Sequence, residues 1–260
     1  MTFSVALPLG GASGWQFLKA TEDQQKQAIA EAQPQKRDVD HFREKTGSIT
    51  SVKEFVGDPR LMRVALGAFG LEADVTNRAF IERILTDGTE NDTALANRLA
   101  DKTYLAFAEA FPVTGSGTLG PFDTESIVSK FQKRQFEAAV GLADEDLRIA
   151  LYLERSLAEI TTSTSNERAM YFKILGDPPL RLAFETAFGL PGSFASIDID
   201  RQVDILANAV SKRFSSDTLA QFKDPEATER LVQLFLVRAS APATTPQNIA
   251  AQTALALLTA

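Results

Sequence analysis

Two stretches of the chain carry the same pattern, GDPRLMRVALGAFGL at residues 57–71 and GDPPLRLAFETAFGL at residues 176–190. Eight of the fifteen positions are identical, and the second stretch follows the first at an offset of 119 residues. Internal similarity at a fixed offset is typical of a chain built from repeated structural units. The pattern therefore predicts two structurally similar halves that arose by internal duplication.

The residues of the repeat have structural roles at the start and end of a short helix. Asp58 is placed to act as an N-cap, because its carboxylate can accept hydrogen bonds from the backbone amides of the first turn. Pro59 follows at the first helical position, where a missing N–H is harmless. Gly70 falls where a helix commonly ends in a left-handed residue. The second copy repeats these positions with Asp177, Pro178 and Gly189.

The rest of the chain has the periodicity of helices. Apolar residues recur at spacings of three and four, and alternating runs of β-branched residues are nearly absent. We therefore predict an all-α fold with helices over residues 15–33, 37–46, 51–56, 59–69, 76–87, 92–111, 123–140, 144–161, 165–175, 178–188, 198–214, 216–222, 225–239 and 246–258.

The stretch PVTGSGTLGP, residues 112–121, is rich in glycine and proline, which is typical of a linker. We predict an N-terminal helical half over residues 1–112, a linker over residues 113–121 and a C-terminal helical half over residues 122–260. Whether the two halves share one hydrophobic core stays open at this point.

Composition excludes several classes of function. The net charge of −7 and the pI of about 4.9 disfavour nucleic acid and anionic membranes as partners. The absence of cysteine excludes disulfides, thiolate metal sites and cysteine nucleophiles. The N-terminal residues lack the features of a Sec signal, and no apolar run approaches the roughly 20 residues that span a bilayer. We expect a soluble protein without membrane insertion.

The single histidine, His41, is the one residue that could serve a Ser-His-Asp triad. Asp38 precedes it by three residues and could orient the ring on the same helix face. The favoured interpretation is an exposed helix histidine beside an acidic neighbour. A metal site with several histidines is excluded within one chain.

Other groups that could carry chemistry also have structural interpretations. The acidic groups at residues 144–146 and 198–200 lack the glycine of a calcium loop, and acids at helix N-termini account for them. The glycine-rich stretch at residues 9–14 could bind an anion at a helix N-terminus, but a flexible lead-in capped by Ser13 or Gly14 is favoured. We predict no catalytic, cofactor-binding or metal-binding residues.

The two ends of the chain are free of charge, over residues 1–18 and 239–260. The C-terminal end contains a predicted apolar helix, too poorly solvated to be stable alone in water. It either closes the hydrophobic core or is offered to another subunit or partner, in which case its interacting residues would be Ile249, Leu255, Leu257 and Leu258.

A series of segments resembles a known family. They are FREKTGSITSVKEF at 42–55, the helix at 58–71, FIERIL at 80–85, ANRLADK at 96–102 and AEAF at 108–111, and Trp15 precedes them. In this order they are similar to the bacterial family of unknown function numbered 1217, found mainly in alphaproteobacteria, over about residues 10–260. The resemblance implies an all-helical protein of unassigned biochemical role. The genes of this family often lie among flagellar genes, which implies a flagellar connection.

These observations favour a non-enzymatic protein that acts through protein–protein contact, with flagellar components or by self-association. It would be cytoplasmic, or associated with the flagellum if exported. The alternative is a small-molecule-binding protein or an enzyme with a site in the cleft between the two halves.

Overall fold

The computed structural model describes residues 5–115, 117–214, 216 and 218–241. Within these residues the protein is all-α, with one short β-hairpin and three 3-10 helices at Glu72–Asp74, Gly192–Ser196 and Leu219–Lys223. The α-helices are α1 (Gly11–Ala30), α2 (Gln33–Thr46), α3 (Val52–Gly57), α4 (Pro59–Phe69), α5 (Arg78–Asp87), α6 (Leu95–Arg98), α7 (Thr103–Ala110), α8 (Thr124–Gly141), α9 (Glu145–Ser163), α10 (Glu167–Gly176), α11 (Pro178–Phe188), α12 (Ile199–Phe214) and α13 (Pro225–Ala239).

The repeated stretches form α4 and α11, which begin and end in the same way. Oδ1 of Asp58 accepts from the amides of Arg60 and Leu61 at 2.8 and 3.3 Å, and Pro59 is the first residue of α4. Gly70 follows its last residue in the left-handed conformation, at φ 77°. In α11, the corresponding cap, first proline and left-handed residue are Asp177, Pro178 and Gly189.

The prediction of one helix over residues 92–111 is wrong. The chain forms α6 and α7 instead, with Leu99 in an extended conformation after α6. Oδ1 of Asp101 accepts a hydrogen bond from the amide of Thr103 at 2.9 Å. This local bond competes with a continuous helix, because it provides the amide at the start of α7 with a partner outside the helical ladder.

The segment predicted to be a linker, residues 113–121, contains the hairpin. Strand β1 (Val113–Thr114) pairs with β2 (Thr118–Leu119) in antiparallel orientation. Gly115 and Gly117 both have a positive φ, which the turn requires and which only glycine adopts without strain. The carbonyl of Gly117 accepts from the amide of Val52 at 3.0 Å, so the segment is tied to the start of α3.

The chain forms two compact units, and they divide at residues 143 and 144, not at 113–121. The first unit contains Leu18–Ala143 and the described residues of Met1–Ala6, while the second contains Leu7–Phe17 and the described residues of Asp144–Ala260. The difference from the predicted boundary arises because α8 packs on α4. At that contact a Cβ added to Gly67 would lie 2.8 Å from the ring of Phe131, so the glycine permits the close approach.

Phenylalanine rings form the centre of the first unit. The ring of Phe111 lies 4.8–6.4 Å from four other rings, those of Phe55, Phe69, Phe107 and Phe122. These rings therefore form an aromatic core within the first unit. In the second unit α9, α11 and α13 pack on one another, and the ring of Phe222 lies 5.2 and 6.4 Å from the rings of Phe214 and Phe184.

Both units place an arginine at the left-handed glycine that ends the repeated helix. A Cβ added to Gly70 would overlap the guanidinium of Arg134 in α8, and one added to Gly189 would lie 2.7 Å from Nη1 of Arg238 in α13. A cation at a helix C-terminus interacts favourably with the partial negative charge of the last carbonyls. The units thus share this arrangement, and their descent from one duplicated segment stays a prediction.

We expect Gly70→Ala to lower the free energy of unfolding by about 1 kcal/mol, because alanine is strained in the left-handed conformation. Urea unfolding followed by circular dichroism measures the change. Gly47→Ala is the matched control, since Gly47 has φ −73° and open space around its Cβ position. Equal stabilities for the two variants would contradict the assigned role of Gly70.

Candidate functional site

The single histidine lies beside the repeated helix of the first unit. His41, in α2, has its Nε2 atom 2.6 Å from Oδ2 of Asp58. The same carboxylate caps α4 through its other oxygen. Although burial alone would raise it, the pKa of Asp58 is lowered, because His41 and the amides of Arg60 and Leu61 all hydrogen-bond to the carboxylate.

Asp38 is not the partner of His41, so that part of the sequence interpretation is wrong. Its carboxylate accepts from Nε and Nη2 of Arg63 at 2.8 and 2.9 Å, and Nε of Arg60 lies 3.9 Å away. Both arginines come from the first two turns of α4, which packs on α2. A bidentate arginine matches the geometry of a carboxylate better than an imidazole on the same helix can.

His41 and Asp58 line an open depression of about 620 Å³ in the first unit. Its described lining contains the basic side chains of Arg60 and Arg63, the acidic side chain of Glu54, and no hydroxyl side chain. A histidine oriented by a carboxylate needs a nearby nucleophile or substrate proton before it can act as a general base. The contact of His41 with Asp58 also supports the cap of α4.

The second unit uses different chemistry at the same place in the repeat. The hydroxyl of Tyr152, in α9, donates to Oδ2 of Asp177 at 2.5 Å, while Oδ1 of Asp177 accepts from the amide of Leu180. Burial, together with this bond, raises the pKa of Tyr152 to about 12. Each cap therefore binds the backbone with one oxygen and a side chain of another helix with the other. A histidine and a tyrosine thus occupy equivalent places beside the two capping carboxylates.

The remaining groups considered from the sequence also lie at helix starts. Asp144 and Asp198 accept hydrogen bonds from amides of α9 and α12, as predicted for acids at helix N-termini. Helix α1 begins at Gly11, so the prediction that Ser13 or Gly14 caps it is wrong. A Cβ on Gly14 would overlap the carbonyl oxygen of Leu9, so this glycine serves a close backbone approach.

A groove along α13 is the feature that the sequence interpretation missed. One wall is a stripe of α13, and the other comes from the C-terminal end of α12; the lining residues are Arg213, Phe214, Arg230, Gln233, Leu234 and Val237. The groove has a volume of about 350 Å³, and Val237 is 60% exposed. The guanidinium of Arg230 lies 6.0 Å from the ring centroid of Phe214.

A signal for the groove is present in the sequence of α13. Residues 231–237 read LVQLFLV, which contains too many apolar side chains for a single buried face. Leu231, Val232, Phe235 and Leu236 are buried. Leu234 and Val237 therefore remain on the outer side, where they form part of the groove. The apolar C-terminal helix that the sequence predicts, with Ile249, Leu255, Leu257 and Leu258, lies outside the described residues.

Within the described residues no group of three or more His, Cys, Asp or Glu side chains is arranged as a metal site. None of the described helices combines the length and the apolar composition needed to cross a membrane.

Taken by its fold, the chain is an all-helical protein whose described residues form two compact units. The family model described as "Protein of unknown function (DUF1217)" matches residues 68–228, which is more than half of the chain. The protein belongs to this family.

A crystal structure of protein AGR_C_984 from Agrobacterium tumefaciens is similar to the fold, with a TM-score of 0.68. The two chains are 23% identical, and the similarity covers 91% of this chain and 97% of the other. A comparison with curated proteins found no match.

Proposed function

We propose that this is a non-enzymatic protein that acts through protein–protein contact at the groove along α13. The observation that carries the proposal is the position of Leu234 and Val237 on the outer side of a helix whose inner side is already packed. Apolar side chains grouped at a surface groove are typical of a binding surface. The resemblance to a family whose genes often lie among flagellar genes supports a flagellar component as the partner.

The contacts of His41 support the non-enzymatic part of the proposal. Its ring is held by the carboxylate that caps α4, and the corresponding carboxylate of the second unit is held by a tyrosine. These contacts favour a scaffold over the alternative of an enzyme that uses Asp38, His41 and a hydroxyl group.

The proposal is tested by deleting the gene in its own bacterium and measuring swimming and filament assembly. We expect both to be impaired, and complementation with the unaltered gene to restore them. Complementation with Val237→Asp should fail, whereas Leu182→Asp should succeed. Leu182 is 49% exposed in α11 and lies outside the groove, so it controls for the introduction of a surface charge.

Unchanged motility after deletion would remove the flagellar part of the proposal. Full complementation by Val237→Asp would remove the groove as the contact surface. Circular dichroism of both purified variants establishes that each retains its helices.

A further inference from the structure

The outer side of α13 presents a regular stripe to the groove. Arg230, Gln233, Leu234 and Val237 lie at positions i, i+3, i+4 and i+7, which share one face of a helix. Seven residues of helix rise by about 10 Å, so the stripe is roughly two turns long. A partner helix lying along α13 would contact every residue of the stripe.

The lining of the groove combines apolar and cationic side chains. Phe214, Leu234 and Val237 are apolar, while Arg213 and Arg230 supply two cations. Within the part of the chain that the structure describes, neither arginine makes an ion pair. The nearby carboxylate of Glu229 accepts hydrogen bonds from Trp15 and Gln233.

The two cations stand out because the chain carries a net charge of −7. A partner whose carboxylates pair with Arg213 and Arg230 would be selected over one with cations at the same places. Guanidinium groups bind carboxylates through two parallel hydrogen bonds, which also fixes the register of the partner.

We infer that the groove along α13 binds a helix of a protein partner that has an apolar stripe flanked by Asp or Glu side chains. This inference rests on the proposed function, because it assigns the chemistry of the partner to the same contact surface. The apolar stripe covers Phe214, Leu234 and Val237, and the flanking carboxylates reach the two arginines.

Two synthetic helical peptides of about four turns test the inference. Both carry leucine at i, i+3, i+4 and i+7; one has glutamate at the flanking positions and the other has lysine. Fluorescence anisotropy with the full chain should show binding of the glutamate peptide at least about tenfold tighter than that of the lysine peptide. Raising the salt concentration should reduce this preference, because the pairs lie near the surface.

Variants of the protein connect the preference to the groove. Arg230→Glu should weaken binding of the glutamate peptide by about tenfold or more. Arg201→Glu is the matched control: it makes the same change of charge on an exposed residue in the first turn of α12, away from the groove, and should change the affinity less than about twofold. Val237→Asp should weaken binding of both peptides.

Several results would overturn the inference. They are equal affinities for the two peptides, equal effects of Arg230→Glu and Arg201→Glu, or no binding of the glutamate peptide at about millimolar concentration. Dimerisation in light scattering that Arg230→Glu abolishes would assign the groove to a second copy of this chain instead.

Failure of this inference differs from failure of the proposed function. If Val237→Asp fails to restore motility while the protein does not prefer the glutamate peptide, the groove is supported as the contact surface and the acidic helix is contradicted as its partner. If deletion leaves motility unchanged while the protein prefers the glutamate peptide, the acidic helix is supported as the partner and the flagellar role is contradicted.

Discussion

Phe111→Ala is expected to lower the free energy of unfolding of the first unit by about 3–5 kcal/mol. The side chain is 1% exposed and touches four other aromatic rings, so its removal leaves a cavity between rigid neighbours. Rings cannot collapse into such a space as easily as flexible aliphatic chains, which places the loss toward the upper end of the range. Urea unfolding followed by circular dichroism measures it.

Phe172→Ala is the control for this substitution. Phe172 is 38% exposed in α10, and its described ring contact is with the guanidinium of Arg168 at 5.6 Å. We expect its removal to change the free energy of unfolding by less than about 1 kcal/mol. Comparable losses for the two variants would show that Phe111 is not the centre of the aromatic core.

The helices were predictable where their determinants are local. An N-cap, a first-turn proline and a left-handed glycine act within one turn of the residues that carry them, so α4 and α11 follow from the repeat itself. The division of the chain was not predictable in this way. It depends on the packing of α8 on α4, where the ring of Phe131 lies against Gly67. The sequence does not show that these two residues are in contact.

The environment of His41 also depends on a contact between distant residues. Asp38 is the nearer acid in sequence, but α4 brings two arginines to it and leaves Asp58 for the histidine. The sequence does not show which of the two carboxylates contacts His41, because the packing of α4 on α2 determines the pairing. The groove along α13 was missed for a similar reason, because the excess of apolar residues in α13 does not show which of them are buried by the other helices.

The largest effect expected from a polar substitution is that of Asp177→Ala, which should lower the free energy of unfolding by about 2 kcal/mol. One carboxylate oxygen caps α11 through the amide of Leu180, and the other accepts from the half-buried hydroxyl of Tyr152. Alanine removes both bonds and leaves the hydroxyl without this acceptor. Loss of a cap alone costs about 1 kcal/mol, so a larger loss reports the second bond.

A double-mutant cycle with Tyr152→Phe separates the two contributions. Tyr152→Phe leaves the cap of α11 intact and should cost less than Asp177→Ala. The double variant should be less destabilised than the sum of the two single variants, with a coupling of about 1 kcal/mol. Additive effects would mean that the bond between the tyrosine and the cap contributes nothing to stability.

The ionisation of Tyr152 gives an independent measure of the same contact. Its pKa is raised from the ordinary value of 10.0 to about 12 by burial and by the bond to Asp177. Because the folded-state pKa lies above the unfolded one, the stability that this tyrosine contributes is complete below pH 10.0 and is lost as the pH rises toward about 12.

Asp177→Ala removes the hydrogen bond and the negative charge, so Tyr152 should ionise at a lower pH in the variant. Tyrosinate absorbance measures this, and Tyr104, whose pKa is raised to about 12 mainly by its bond to Asp74, should titrate as before. An unchanged absorbance curve in the variant would show that Asp177 does not hold the proton of Tyr152, and the cap of α11 would then act on the backbone alone.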